Sequence, residues 1–374
     1  MKTKYIPSLN GLRAVCIFMV VADHLVLHQF IPRTTLTKIF GTFLFNGGLG
    51  VSFFFVISGF LITSLLIKER EQYGTISLKQ FYLRRALRIF PAYYLLLAVY
   101  YLLQSLGYIH LTPLNWISDV TYTNQFFKNN PPETLHLWSL SVEELFYLLW
   151  PVLYIAFFSR VNTLYLCGVI ATYSFLRFYN CTYPTYRYAN TIFSTGDALL
   201  IGCLTAINYQ KIANWVINHK RLVLLAFPAL IFLAFSEVYV FHLVSLEEHT
   251  TKQIILQKLI LPAISAFGGN KGLLSVIMIA LIIVYSINVK SYWYKFLNYR
   301  IVNYIGLLSY SIYLWQQIFI SDKMHQHHFS IFLVTLLILL SANISYHFIE
   351  RPILILKDKA NLSGLFKLKL RRAH

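Results

Sequence analysis

Arg13 and His24 stand eleven residues apart in an otherwise apolar stretch. In a helix that spacing is three turns, so both side chains share nearly one face, about 16 Å apart. An imidazole titrating near neutrality suits proton transfer. A buried, hydrogen-bonded histidine is the plainer reading. Inside a membrane helix, however, an ionisable side chain by default faces a cavity or a partner, which makes His24 a catalytic candidate. Asp23 lies beside it, but neighbours on a helix point apart.

Arg84, Arg85 and Arg88 precede Pro91. Arg85 and Arg88 are three apart and share a helix face. Two guanidiniums so placed can grip phosphate bidentately; as an alternative they anchor the chain at a membrane surface. Further along runs Trp138-Ser139-Leu140-Ser141-Val142-Glu143-Glu144-Leu145-Phe146-Tyr147. Ser141 and Glu144 fall on one helix face as a candidate site pair, or else form a capping box. His136, just upstream, could join them in a polar cluster. Asp197 is a lone acid in an apolar run and a site candidate on the same ground. Gly47, Gly48, Gly50 and Gly59 read as helix-packing positions. The cysteines Cys16, Cys167, Cys181 and Cys203 are far apart and form no Cys/His cluster, so neither a disulfide framework nor a metal site is expected.

The elements that position these residues follow from composition. Of 374 residues 57% are hydrophobic and only 12% charged, against about 25% charged in a soluble domain. Mean hydropathy is +0.59. The chain is therefore expected to be all-α, a polytopic transmembrane helical bundle. Runs of roughly 20 apolar residues occur at 9–30, 47–67, 89–107, 139–158, 163–178, 190–207, 221–241, 272–288, 300–320 and 330–349, giving about ten spans. The apolar stretch 253–267 is a possible eleventh or an interfacial helix. Residues 1–352 form one membrane domain and 353–374 a basic tail. Arg13, Asp23 and His24 interrupt the first apolar run, so it reads as an uncleaved first helix.

The net charge of +18 sits between the apolar runs, as membrane orientation and anionic lipid require, and nucleic acid is not an expected partner. With the N-terminus in the cytoplasm, inner segments hold 22 Lys and Arg and outer segments 9. That asymmetry places both termini inside. The longest outer segment, 108–138, is long for a bundle connection and is expected to fold over a site.

Together these segments resemble acyltransferase family 3, bacterial membrane O-acyltransferases that modify O-antigens, exopolysaccharides and other extracytoplasmic acceptors. The resemblance runs from Leu9 to Pro352. It rests on Leu9-Asn10-Gly11-Leu12-Arg13 with His24 ten residues beyond Arg13 in between-residue count, on the run Gly50 to Leu61, on Arg85 and Arg88 before Ile89-Phe90-Pro91, on Trp138 to Glu144, on Ser309-Tyr310-Ser311-Ile312-Tyr313-Leu314-Trp315, and on Glu350-Arg351-Pro352. Departures are Asn10 where the family often has Asp, Leu145 where it often has Gln, Gly196 where it often has Arg, and Gln316 where a His commonly follows the Trp.

The resemblance implies a multi-pass protein of the bacterial cytoplasmic membrane. It implies acyl-CoA, usually acetyl-CoA, as donor substrate and no permanently bound cofactor. In that reading Arg85 and Arg88 hold donor phosphates, and Arg13 holds the donor or a developing charge. His24 activates an acceptor hydroxyl or briefly carries the acyl group. Ser141 and Glu144 orient the acceptor or His24, with His136, Trp138 and Asp197 on the acceptor side. The acceptor is a glycan or lipid-linked glycan. Some relatives carry a fused esterase-like domain, for which no room is expected here. The rival reading is a transporter or flippase of glycan units, though no internal repeat of the kind many transporters show is visible.

Overall fold

The computed structural model describes residues 6–32, 41–42, 44–127, 130–158, 163–182, 192–246, 259–269, 272–320 and 329–356. Among these residues every regular element is helical. The basic stretch 357–374 lies outside them.

Helix α1 spans Pro7–Leu27 and opens on a proline, whose fixed φ suits the first turn. Helix α2, Gly47–Tyr73, starts where the Asn46 side chain accepts from the Leu49 N–H at 2.9 Å. It ends at Gly74, whose φ of 73° needs a residue without Cβ. Helix α3, Leu78–Ser105, follows at once, capped by Ser77. Glu69 braces this turn: it accepts from the Ser77 N–H at 2.9 Å and pairs with Arg84 at 2.6 Å.

The described residues of 108–136 do not hang free. They contain helix α4, Pro113–Val120, and a 3-10 turn, Asn124–Phe126. The Tyr93 and Tyr100 hydroxyls donate to the carbonyls of Asp119 and Glu133, each at 2.7 Å. Asn124 Nδ2 donates to Asp119 at 2.9 Å, and Gln125 Nε2 to the Ser141 carbonyl at 3.1 Å. This segment is thus a packed cover, tied to α3. It leads into helix α5, Leu137–Leu153.

Helix α6, Thr163–Thr182, packs on α7, Ile192–Ile207. After α7 the chain turns by 85° into α8, Tyr209–Asn218. Helix α9 is Ala226–Leu246 and α10 Leu273–Asn288. Helix α11, Arg300–Phe319, and α12, Ile331–Ser345, complete the bundle, and the last continues through a π turn to Leu356.

The centre is α2, held between α1 and α7, with α11 on the far side of α1. Backbone contact makes this possible. A Cβ on Gly59 would strike the Leu199 carbonyl, and one on Gly202 the Val56 carbonyl, so two glycines seat α2 and α7 against each other. This is how helices approach in lipid, where apolar burial gives no driving force. Burial grades outward: 67% of the apolar window of α2 is buried, 33% of α3 and 22% of the last helix. The latter two are the most exposed of the candidate spans.

Among the described residues six helices are long and apolar enough to cross a membrane, or seven if the bent pair α7–α8 is one span. The chain is a multi-pass membrane protein. The expectation of about ten spans is not reached by this measure. Helix α11 shows why. It has 20 residues, but Asn303, Ser309, Tyr310, Gln316 and Gln317 lower its hydropathy; Ser309, Gln316 and Gln317 are buried in the bundle. Residues 261–268 form a short helical piece against α6 and run toward α10, so that 261–288 counts as one candidate span.

Candidate active site

The arginine run at the start of α3 divides by direction. Arg84 turns to Glu69 and serves the turn. Arg85 turns inward, its guanidinium 4.7 Å from the Tyr147 ring centroid. Arg88, one turn on, acts electrostatically on Arg85 and on Arg13 of α1. Three guanidiniums from two helices therefore share one region.

Carboxylates face them from two other helices. Glu143 on α5 accepts from the Ser58 hydroxyl at 2.8 Å and from the Tyr147 hydroxyl at 3.0 Å, and it acts on both Arg13 and Arg85. Glu144 acts on Arg85. Glu350 accepts from Ser311, and from Ser345 at 3.3 Å, and lies within reach of Arg88 and Arg13. Among the described residues the ion pairs within 4 Å are Arg84–Glu69 and Arg177–Asp197. Arg13, Arg85 and Arg88 are thus charge-balanced at longer range, with their N–H donors uncommitted. A polyanion such as a phosphate chain is what such an arrangement can receive.

Three turns along α1 from Arg13 lies His24, half-buried, with Nδ1 lacking a hydrogen-bond partner among the described residues. The Gln316 side chain of α11 approaches it without completing a hydrogen bond, so both its amide atoms are unpartnered as well. His136 is near enough to act on His24 electrostatically. Asp23 points elsewhere: its carboxylate sits against Gly47 at the start of α2, where a helix N-terminus favours negative charge.

The remaining candidates are placed differently. Ser141 lies inside α5, not at its cap, and its hydroxyl donates to the Tyr122 carbonyl. It holds the outer cover and does not meet Glu144. Trp138 packs edge-on to Phe55, ring centroids 6.1 Å apart, and lines a small cavity with Ser52, Arg177, Thr195 and Asp197. Asp197 is not alone: Arg177 of α6 pairs with it and also donates to the Ser194 carbonyl at 2.9 Å. Arg177 is buried, so it is not a loop charge.

A family model described as an acyltransferase domain matches residues 6–350. The chain belongs to the acyltransferase 3 family. It is similar to the peptidoglycan O-acetyltransferase OatA of Listeria monocytogenes, 27% identical over 94% of this chain and 56% of the relative. It is also similar to the O-acetyltransferase OatA of Staphylococcus aureus, 28% identical over 94% of this chain and 57% of the relative. The chain spans little more than half the length of these relatives. No solved structure matches it.

For an acyltransferase 3 chain, the arrangement has the parts that acyl transfer needs: an imidazole in a half-buried polar interior, and anion-binding groups at the other end of the same helix face. Sequence reasoning passed over Glu143, Tyr147 and Glu350. One signal was present, since Glu143 and Tyr147 are four apart and must meet on one helix face. Glu350 stood out only within the motif Glu350-Arg351-Pro352, and Arg177 gave no signal, because its partner Asp197 lies on another helix.

Proposed function

We propose that this chain transfers an acyl group, acetyl first among them, from acyl-CoA to a hydroxyl of an extracytoplasmic glycan. The donor enters from the cytoplasmic side of a bacterial inner membrane in which both termini are cytoplasmic. Arg13, Arg85 and Arg88 receive its phosphates. His24 takes part in the proton transfers of the reaction or briefly carries the acyl group. Glu144 tunes the charge of the donor end. The acceptor comes from the side of His136, Trp138 and Asp197, with Ser141 holding the cover in place.

One observation carries this reading: a single helix, α1, brings Arg13 to a group of guanidiniums and His24 to a group of uncharged polar side chains. Donor and acceptor ends are thereby linked by one rigid element. The similarity to the Listeria peptidoglycan O-acetyltransferase makes peptidoglycan the first acceptor to try; a lipid-linked glycan presents the same hydroxyl chemistry.

The test compares ester-linked acyl groups, by NMR of isolated surface glycans, between cells carrying the intact gene and cells carrying His24→Ala. The variant is expected to insert and accumulate but to leave the glycan unacylated. Identical acylation with both proteins expressed would overturn the proposal.

A further inference from the structure

His136 sits at the N-terminal end of α5 and is 3% exposed. Its ring nitrogens, Nδ1 and Nε2, both lack a hydrogen-bond partner among the described residues. A histidine kept for structure alone in so buried a place would have one, because an unmet donor or acceptor there is costly. A partner is at hand and is used otherwise. The Tyr313 ring packs on the His136 ring, centroids 5.6 Å apart, yet its hydroxyl donates to the His136 backbone carbonyl at 2.8 Å and meets Ser139 Oγ at 2.6 Å. The residue is fixed through its backbone, and among the described residues no side chain takes a hydrogen bond from its ring.

The surroundings repeat the pattern. Gln316 is fully buried on α11, with Oε1 and Nε2 both unpartnered. His24 on α1 brings an unpartnered Nδ1. Gln316 approaches His24, and His24 is in electrostatic reach of His136. The Leu314 backbone lies beside the His136 ring, placed to take one ring N–H and so turn the lone pair of the other nitrogen to the site. Three helices thus bring His24, His136 and Gln316 into one region, where no short side-chain hydrogen bond consumes them.

We propose that His136 is a second catalytic histidine, the base that takes the proton of the acceptor hydroxyl, while the Gln316 amide N–H holds the acyl carbonyl oxygen. This rests on the acyl-CoA reading given above. The acceptor oxygen attacks the thioester carbonyl carbon as its proton passes to His136. The carbonyl oxygen takes the negative charge against Gln316. The C–S bond then breaks, and the thiolate takes up the proton, relayed from His136 through the His24 ring. Ester and thiol leave, and both imidazoles are neutral again.

The experiment uses the purified full chain in detergent with acetyl-CoA and two acceptors, chitopentaose as the glycan and hydroxylamine as a nucleophile that needs no base at neutral pH. Thiol release and acceptor acylation are both followed. In His136→Asn and His136→Gln, transfer to chitopentaose should fall by roughly 10²-fold or more, transfer to hydroxylamine should stay within a few-fold of the unsubstituted protein, and the KM for acetyl-CoA should hold. Equal loss with both acceptors in the variant that retains the native melting transition would make His136 structural and overturn the proposal. Full transfer to chitopentaose would overturn it too. If the unsubstituted protein releases no thiol from acetyl-CoA with either acceptor, the donor reading itself fails, and this outcome is distinct from the other two.

Discussion

The Arg85 guanidinium lies over the face of Tyr147, 4.7 Å from its ring centroid. The same tyrosine donates its hydroxyl to Glu143 at 3.0 Å. One side chain therefore steadies a cation by its ring and an anion by its hydroxyl, and keeps the two apart. Their direct pairing would consume the N–H groups that a donor phosphate needs.

Two substitutions separate these roles. Tyr147→Leu removes the ring and should raise the KM for acyl-CoA several-fold, a cation–π contact of this kind being worth about 0.5–2 kcal/mol. Tyr147→Phe keeps the ring and should leave that KM nearly unchanged. Arg85→Lys keeps the charge but loses the planar fork. It should raise the donor KM by about tenfold or more, since charge-assisted hydrogen bonds contribute about 1.5–3 kcal/mol each. Steady-state kinetics over a range of acyl-CoA decides all three, and an Arg85→Lys enzyme with unaltered KM would reduce Arg85 to an orientation anchor.

Packing at Gly59 and Gly202 leaves no room for a side chain against the Leu199 and Val56 carbonyls. Because the obstacle is backbone, it cannot rotate away. Gly59→Ala or Gly202→Ala should each lower stability by about 1–3 kcal/mol, read as a lower melting temperature in detergent. Gly74→Ala, in open space but at positive φ, should cost less, about 1 kcal/mol.

Much of this was legible in the chain. Apolar runs and sparse charge announce a helical membrane bundle, and the three-turn spacing of Arg13 and His24 by itself puts them on one face. The inward and outward choices were not legible. Arg84, Arg85 and Arg88 are the same residue type within five positions, and only Glu69 and Tyr147, from other helices, decide which of them turns in. Ser141 and Glu144 share a helix face by spacing, yet the Tyr122 carbonyl claims the first and the arginines the second. Pairings over 20 or more residues, such as Arg177 with Asp197, are properties of the packed fold.

Asp119 gives a pH prediction outside the spans. It is fully buried in the outer cover, and burial pushes its carboxyl up to about 6 from 3.8. The folded state thus binds this proton more tightly than the unfolded chain does. The advantage is complete below about pH 4 and is lost as pH rises through 6. Above that, ionisation costs the cover roughly 3 kcal/mol, at about 1.36 kcal/mol per pH unit. Asp119→Asn still accepts from Asn124 and carries no charge. It should be more stable than the natural chain at pH 7 and should lack the change between pH 4 and 6, as hydrogen exchange of residues 113–126 would report. An unchanged pH dependence in the variant would assign it to another group.

The last prediction concerns Arg177 and Asp197, a buried pair joining α6 to α7 beside the cavity that Trp138 lines. Two charges this deep are held at a desolvation cost that their attraction and the Arg177 bond to the Ser194 carbonyl offset. Removing one partner strands the other. Asp197→Leu or Arg177→Met alone should destabilise by about 3–5 kcal/mol, enough to deplete the folded protein in membranes. The double variant leaves no buried charge and should recover most of that loss. Stability and acyl transfer then answer different questions. If the double variant folds and transfers acyl groups normally, the pair serves the bundle alone. If it folds but loses acceptor use while keeping the KM for acyl-CoA, the pair also shapes the acceptor cavity, which is the outcome expected from its place in that wall. A double variant less stable than either single one would contradict the stranded-charge argument itself.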